Sequence, residues 1–231
     1  MKSANQRPNP GVKNFKRHQD FLDLLEVADF LHSYPGMAIK PTRGSELVLQ
    51  GNFEFSTNFG QLERIVDSYQ LMIIIPIKYP EELPIVREIG NKIPLKPDYH
   101  VNPDGTLCLG SPLRLLWILS KIPSLPSFSE QCLEPYLYSI SYKLKYGVLP
   151  FGELEHGEPG QLRDIADLLG LKSLKEAKYA TRILSMKKRH ANKQLCPCGC
   201  GFKLGKCKFK EKIEELRSLR PRSWFRSIID N

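Results

Sequence analysis

A chain of 231 residues, 41% hydrophobic and 26% charged, has the apolar content for one ordinary core and a smaller second one. Its densest apolar run, Leu71 to Ile77, is strand length and far short of the ~18 residues that a membrane-spanning helix needs. The net charge of +9 is unevenly placed: residues 171 to 231 carry 17 Lys and Arg against 5 Asp and Glu, a surplus of +12 that leaves −3 for residues 1 to 170. The polar, proline-containing N-terminus lacks the apolar segment of a secretory signal, so a cytoplasmic location is expected.

In chain order, residues 1 to 12 read as a loose N-terminus. An amphipathic helix is expected from Phe15 to Leu31, where Phe21, Leu24, Leu25, Ala28 and Leu31 share one face. Strand-like alternation follows in Leu47 to Phe55, then in Tyr69 to Ile77, then near Ile85 to Ile89, with a turn around Asn58-Phe59-Gly60. These segments predict an α+β domain over residues 13 to 150, an antiparallel meander with flanking helices. Residues 91 to 110 form a long connection, and a turn is signalled at Pro103-Asp104-Gly105. An apolar helical run comes after Cys108. A further helix is expected from Ser129, read as its N-cap, to Leu144, with Cys132 beside its apolar stripe. Residues 151 to 231 are expected to form a small basic helical unit. In it, Leu162 to Leu169 make a short helix stopped by Gly170, Ser173-Leu-Lys-Glu176 is a capping box for a helix to about Arg189, and a last helix carries Phe209, Ile213 and Leu216 towards Pro221.

Cys108 stands behind the polar loop His100-Val-Asn-Pro-Asp-Gly-Thr106. A thiolate is the strongest protein nucleophile near neutral pH and forms thioesters; the competing reading makes Cys108 a small apolar residue between Leu107 and Leu109. Upstream lies Tyr79-Pro-Glu-Glu-Leu-Pro-Ile-Val86, and Gly105-Thr-Leu-Cys-Leu109 is followed by Trp117. In order, these segments resemble the Tyr-Pro-x-x-Pro-Pro-x-Val turn, the Gly-x-Ile-Cys-Leu nucleophile segment and the downstream tryptophan of ubiquitin-conjugating enzymes, with Leu83 in place of a proline. The resemblance implies a ubiquitin-conjugating-like fold and a thioester at Cys108 with the C-terminus of a protein. It carries an oxyanion-stabilising role to Asn102, although His100-Val101-Asn102 lacks the central proline of His-Pro-Asn and stands closer to the cysteine. Asp104 is the rival polar group, able to orient an amine or accept its proton. His100 is expected to hold the loop, and His156 is a further candidate to fold over the cysteine.

A second cluster, Cys196-Pro-Cys198-Gly-Cys200-Gly-Phe-Lys-Leu-Gly-Lys-Cys207, resembles the SEC-C zinc motif. Four such ligands suit tetrahedral zinc in a knuckle over 196 to 208. Cys196, Cys198 and Cys207 match the motif's ligand positions. Lys208 occupies the fourth, so Cys200 is taken as the replacement and His190 as the alternative.

Taken together these resemblances imply a bacterial-type ubiquitin-conjugating-like transferase with a structural zinc. Relatives of this kind act in antiphage signalling systems built on cyclic-oligonucleotide synthases, or attach a ubiquitin-like protein. The partner is then such a synthase or ubiquitin-like protein, with an acidic protein surface docking on the basic tail. Nucleic acid is disfavoured, because the tail lacks interleaved stacking aromatics. The reading from another class is a non-catalytic module of the same fold that binds a ubiquitin-like or peptide tail.

Overall fold

The computed structural model describes residues 22, 23, 25–152 and 157–230. The expectations for residues 1 to 12, for Phe15, Phe21 and Leu24, and for His156 lie outside the described residues. The fold is α+β. Helix α1 (Val27–Ser33) is followed by strands β1 (Met37–Lys40), β2 (Leu47–Thr57), β3 (Ile65–Ile75) and β4 (Ile85–Glu88). They form one antiparallel sheet in sequence order. The expected long N-terminal helix is interrupted before α1: Glu26 takes a left-handed conformation, φ 51°, so the chain turns there and restarts at Val27.

Alternation in β2 and β3 puts Leu47, Leu49, Phe53 and Phe55 with Tyr69, Leu71, Ile73 and Ile75 on one buried face. Strand β1 leaves no signal in the sequence pattern, because a four-residue edge strand buries only Met37 and shows no repeat. Strand β3 begins earlier than the expected Tyr69 and stops before Pro76, which cannot donate to a ladder.

A 3₁₀ turn (Pro97–Tyr99) and helix α2 (Pro112–Leu119) come next. Helix α3 (Leu125–Phe128) runs through a π turn (Ser129–Leu133) into α4 (Glu134–Tyr146). Ser129 is therefore not the N-cap that the sequence suggests. Ser124 is, its hydroxyl accepting from Ser127 N, with Pro126 in the first turn, where its missing N–H is harmless. Ser129 is fully buried and Cys132 lies in the core. Helix α4 packs on β2 and β3, and Tyr69 Oη lies 2.6 Å from Ser141 Oγ, which donates to Asp67 Oδ2 at 2.7 Å.

The C-terminal elements are α5 (Gly157–Leu169), α6 (Leu174–Ser185), α7 (Lys188–Ala191), a 3₁₀ turn (Leu204–Lys206), α8 (Phe209–Leu219) and α9 (Arg222–Asp230). The capping box is present with a shifted partner: Ser173 Oγ accepts from Glu176 N, and Glu176 Oε2 accepts from Lys172 N. Helix α6 ends at Ser185, short of the expected Arg189. Helix α9 lies beyond Pro221, past the last helix expected from sequence; its Phe225 and Ile228 are buried. No described helix is long and apolar enough to cross a membrane.

Two clusters of buried side chains result. The first joins the sheet with α1, α3 and α4. The second joins α5, α6, α8 and α9 with Leu204 and Cys196, and it also contains Leu113 of α2, with Trp117 packed against it. Leu115, Ile118 and Leu119 of the same helix pack with the first cluster. The segment after Cys108 is thus shared between both cores. Leu113, 1% exposed, is expected to matter to the second core although it lies in the first half of the chain. Leu113→Ala should destabilise the protein by about 2–5 kcal/mol in urea unfolding, whereas an effect under about 0.5 kcal/mol, typical of surface positions, would show that the helix is not held from that side.

Candidate functional site

The loop before Cys108 is a tight reversal. Val101 and Leu107 bridge antiparallel, Asn102 N donates to Thr106 O at 2.8 Å, and Gly105 N donates to Asn102 O at 2.8 Å. Gly105 has φ 81°, a conformation in which a side chain is strained and glycine is not. Its side chains close on one another: Asn102 Nδ2 donates to Thr106 Oγ1 at 2.9 Å, and Asp104 Oδ1 accepts from Thr106 Oγ1 at 2.7 Å and Thr106 N at 3.0 Å. Arg87 of β4 donates to the Asp104 carbonyl and stands 3.8 Å from its carboxylate. The Thr106 hydrogen bonds, assisted by Arg87, hold the Asp104 carboxyl below the usual range. A carboxylate shifted that way is a weaker base than a free one, so Asp104 is better suited to anchoring the turn than to taking a proton.

The reversal is stitched to the sheet. Leu107 N donates to Val86 O at 2.8 Å and Thr106 bridges Arg87, so the loop covers the open side of β4. His100, 7% exposed and left-handed at φ 51°, presents its carbonyl to Cys108 N at 2.8 Å. Helix α4 pins the turn before it: Tyr136 Oη donates to Tyr99 O at 2.9 Å, and Lys143 Nζ donates to Asp98 O at 2.7 Å. Cys108 is thereby fixed through its main chain while its side chain remains a half-buried free thiol. Cys132 differs: burial pushes its thiol up to about 12, which suits a core residue.

Cys108 opens onto a cleft of about 540 Å³. One wall is Leu109 to Pro112 and Arg114. Here Ser111 caps α2, its hydroxyl accepting from Arg114 N. The other wall is the first turns of α5, including Gly157, Gly160, Gln161, Asp164 and Asp167. The walls are joined by Arg114, whose Nε donates to Asp164 Oδ1 at 2.6 Å and whose Nη2 donates to Asp167 Oδ2 at 3.3 Å. Asn102, His100 and Asp104 share the reversal with Cys108 but do not line this cleft. The α5 wall was not anticipated from sequence. Its polar signal was the pair Asp164 and Asp167, one turn apart on a helix whose other side holds Leu162, Ile165 and Leu169, and nothing local names Arg114 as their partner.

The second cluster forms a small closed loop. Leu195 bridges Lys203, and Cys196 N donates to Phe202 O at 2.8 Å. The sulfurs of Cys196, Cys198, Cys200 and Cys207 all lie within 4.8 Å of one another; Cys198 to Cys207 is 3.8 Å and Cys200 to Cys207 is 3.7 Å. Tetrahedral thiolates at ~2.3 Å from a zinc-sized ion stand roughly 3.8 Å apart. The set could therefore hold a metal ion. His190, exposed on α7, is not a member of it.

Two outcomes are expected. The Asn102–Thr106–Asp104 turn should behave as a unit, so Asn102→Ala and Thr106→Val should be less than additive in urea unfolding, with a coupling of about 0.5–3 kcal/mol; full additivity would mean that the side-chain bonds do not cooperate. For the cysteine cluster, Cys200→Ser should lower the metal content of the purified protein and His190→Ala should not. The reverse result would restore His190 as a ligand. No protein-family model, curated protein or solved structure matches this chain, so the site is argued from its own residues and geometry.

Proposed function

We propose that the protein is a ubiquitin-conjugating-like acyltransferase of the cytoplasm that carries its acyl group on Cys108, with structural zinc in the C-terminal knuckle. The observation that carries the reading is a free, half-buried thiol at a cleft, immediately after a rigid reversal and immediately before a capped helix. The four-stranded antiparallel meander followed by helices is compatible with the ubiquitin-conjugating fold. The sequence resemblance at Tyr79 to Val86 and Gly105 to Leu109 gives the reading its family.

In this reaction the Cys108 thiolate attacks the carbonyl of an activated protein C-terminus. The leaving group departs and a thioester forms. A primary amine then attacks the same carbonyl; the amide bond forms, the carbon–sulfur bond breaks, and the proton lost by the amine is taken up by the departing sulfur or by solvent. Asn102 Nδ2 spends one of its two N–H donors on Thr106 Oγ1, and its second N–H would serve the oxyanion, a donor being worth roughly 3 kcal/mol in such sites. The acyl source is a ubiquitin-like protein or a cyclic-oligonucleotide synthase, and an acidic surface docks on the basic C-terminal unit. The commitment of the Asp104 carboxylate to the turn favours a second reading, a non-catalytic module that holds a peptide tail in the cleft.

The two readings separate on sulfur against oxygen. In cells carrying the neighbouring genes, the wild-type protein should bear a thiol-sensitive adduct by intact mass. Cys108→Ser should give at most a slower, thiol-resistant oxyester, and Cys108→Ala no adduct in a folded protein. Absence of an adduct together with full biological activity of Cys108→Ala would leave the binding module in place of the enzyme.

A further inference from the structure

We infer that the C-terminal helical unit is part of the nucleophile's site, and that its helix α5 restricts what reaches Cys108 to slender, extended chain ends and small amines. Lysines on folded protein surfaces are thereby excluded as acceptors. This deepens the acyltransfer reading and rests on it for the identity of the reaction, whereas the shape of the cleft does not.

Three observations carry the inference. The cleft at Cys108 has two walls, one from residues 109–114 and one from residues 157–167. Its volume of about 540 Å³ falls in the small-ligand range of roughly 300–1,000 Å³, enough for a few extended residues and not for a folded surface. The second wall is also held in place. Arg114 reaches across to Asp164 and Asp167, and the Asp164 side chain is 15% exposed, so this ion pair is screened less than a surface one. Below it, Leu113 and Trp117 sink into the core that contains Leu162, Ile165 and Leu169, and Trp117 Nε1 donates to Glu215 Oε1 of α8 at 3.0 Å. Helix α5 is therefore packed against the helix that follows the nucleophile and is not a loosely tethered tail.

Gly110 on one wall, with Gly157 and Gly160 on the other, leaves main chain facing the space that an incoming chain would use. The specificity-determining positions are Gln161, which lines the α5 wall, and Asp164 with Asp167, which tie that wall to Arg114.

The test measures the rate of modification at Cys108, by peptide mass mapping, with two reagents: iodoacetamide and a maleimide tethered directly to a small folded protein. Both rates are compared with those of the same cysteine in a synthetic peptide spanning residues 104 to 112, which leaves the carrier protein folded. In the folded full-length protein, Cys108 should react with iodoacetamide while the protein-borne maleimide is slowed about tenfold or more relative to it, a loss of the size that small misplacements produce at crowded sites. Asp164→Asn with Asp167→Asn should restore much of the slow rate. Gln161→Trp should further slow exchange of Cys108 with a short peptide α-thioester. Equal discrimination on the folded wild-type protein and on the peptide would overturn the inference without any variant being needed. If discrimination is present but a peptide thioester never transfers to Cys108, the restrictive wall stands and the acyltransfer reading falls.

Discussion

Helix α2 cannot be assigned to one half of the molecule. Leu115, Ile118 and Leu119 pack with the sheet core, Leu113 and Trp117 with the helical core, and Arg114 is ion-paired to α5. Its N-cap, Ser111, is three residues past Cys108. Any shift of α2 therefore moves the mouth of the cleft at Cys108, and any loosening of the second core acts on α2. Packed interiors transmit such displacements because they hold few voids into which side chains can relax.

On the other side of the thiol the constraint is main-chain hydrogen bonding. Cys108 N is tied to His100 O and Leu107 N to Val86 O, which makes the loop a continuation of the β4 edge. Polar side chains build this frame: Asn102 and Asp104 meet at Thr106, and Arg87 closes the turn from the sheet. On the proposed reading, a preorganised loop of this kind orients the Cys108 thiol without supplying a base.

The parts of this arrangement that were legible in the sequence are the local ones. Alternation in Leu47 to Phe55 and around Tyr69 to Ile75 marked the central strands, because one face of an antiparallel pair is buried. Pro103-Asp104-Gly105 marked the reversal, because few residues besides glycine accept its geometry. The close spacing of Cys196, Cys198, Cys200 and Cys207 marked a metal-competent set. Short or proline-marked elements were lost. Strand β1 has too few residues to show a period, Pro126 precedes the expected start at Ser129 and is an N-terminal helix residue, and Pro221 hid α9 behind it. The cleft itself was invisible, since Arg114 and Asp164 are 50 residues apart and an ion pair leaves no trace in local pattern. The charge asymmetry suggested a separable tail, whereas Leu113 and Trp117 place part of that unit's core upstream in the chain.

The central claim is that Cys108 carries an acyl group as a thioester. Brief treatment of the full-length protein, after incubation with a short peptide α-thioester, with neutral hydroxylamine tests it most directly. A thioester releases the peptide as a hydroxamate and returns an unmodified Cys108 peptide on mass mapping. The account predicts that release, at Cys108 and at no other cysteine. Peptide that stays attached after hydroxylamine, or that maps to a lysine or to the 196–207 cluster, would contradict it.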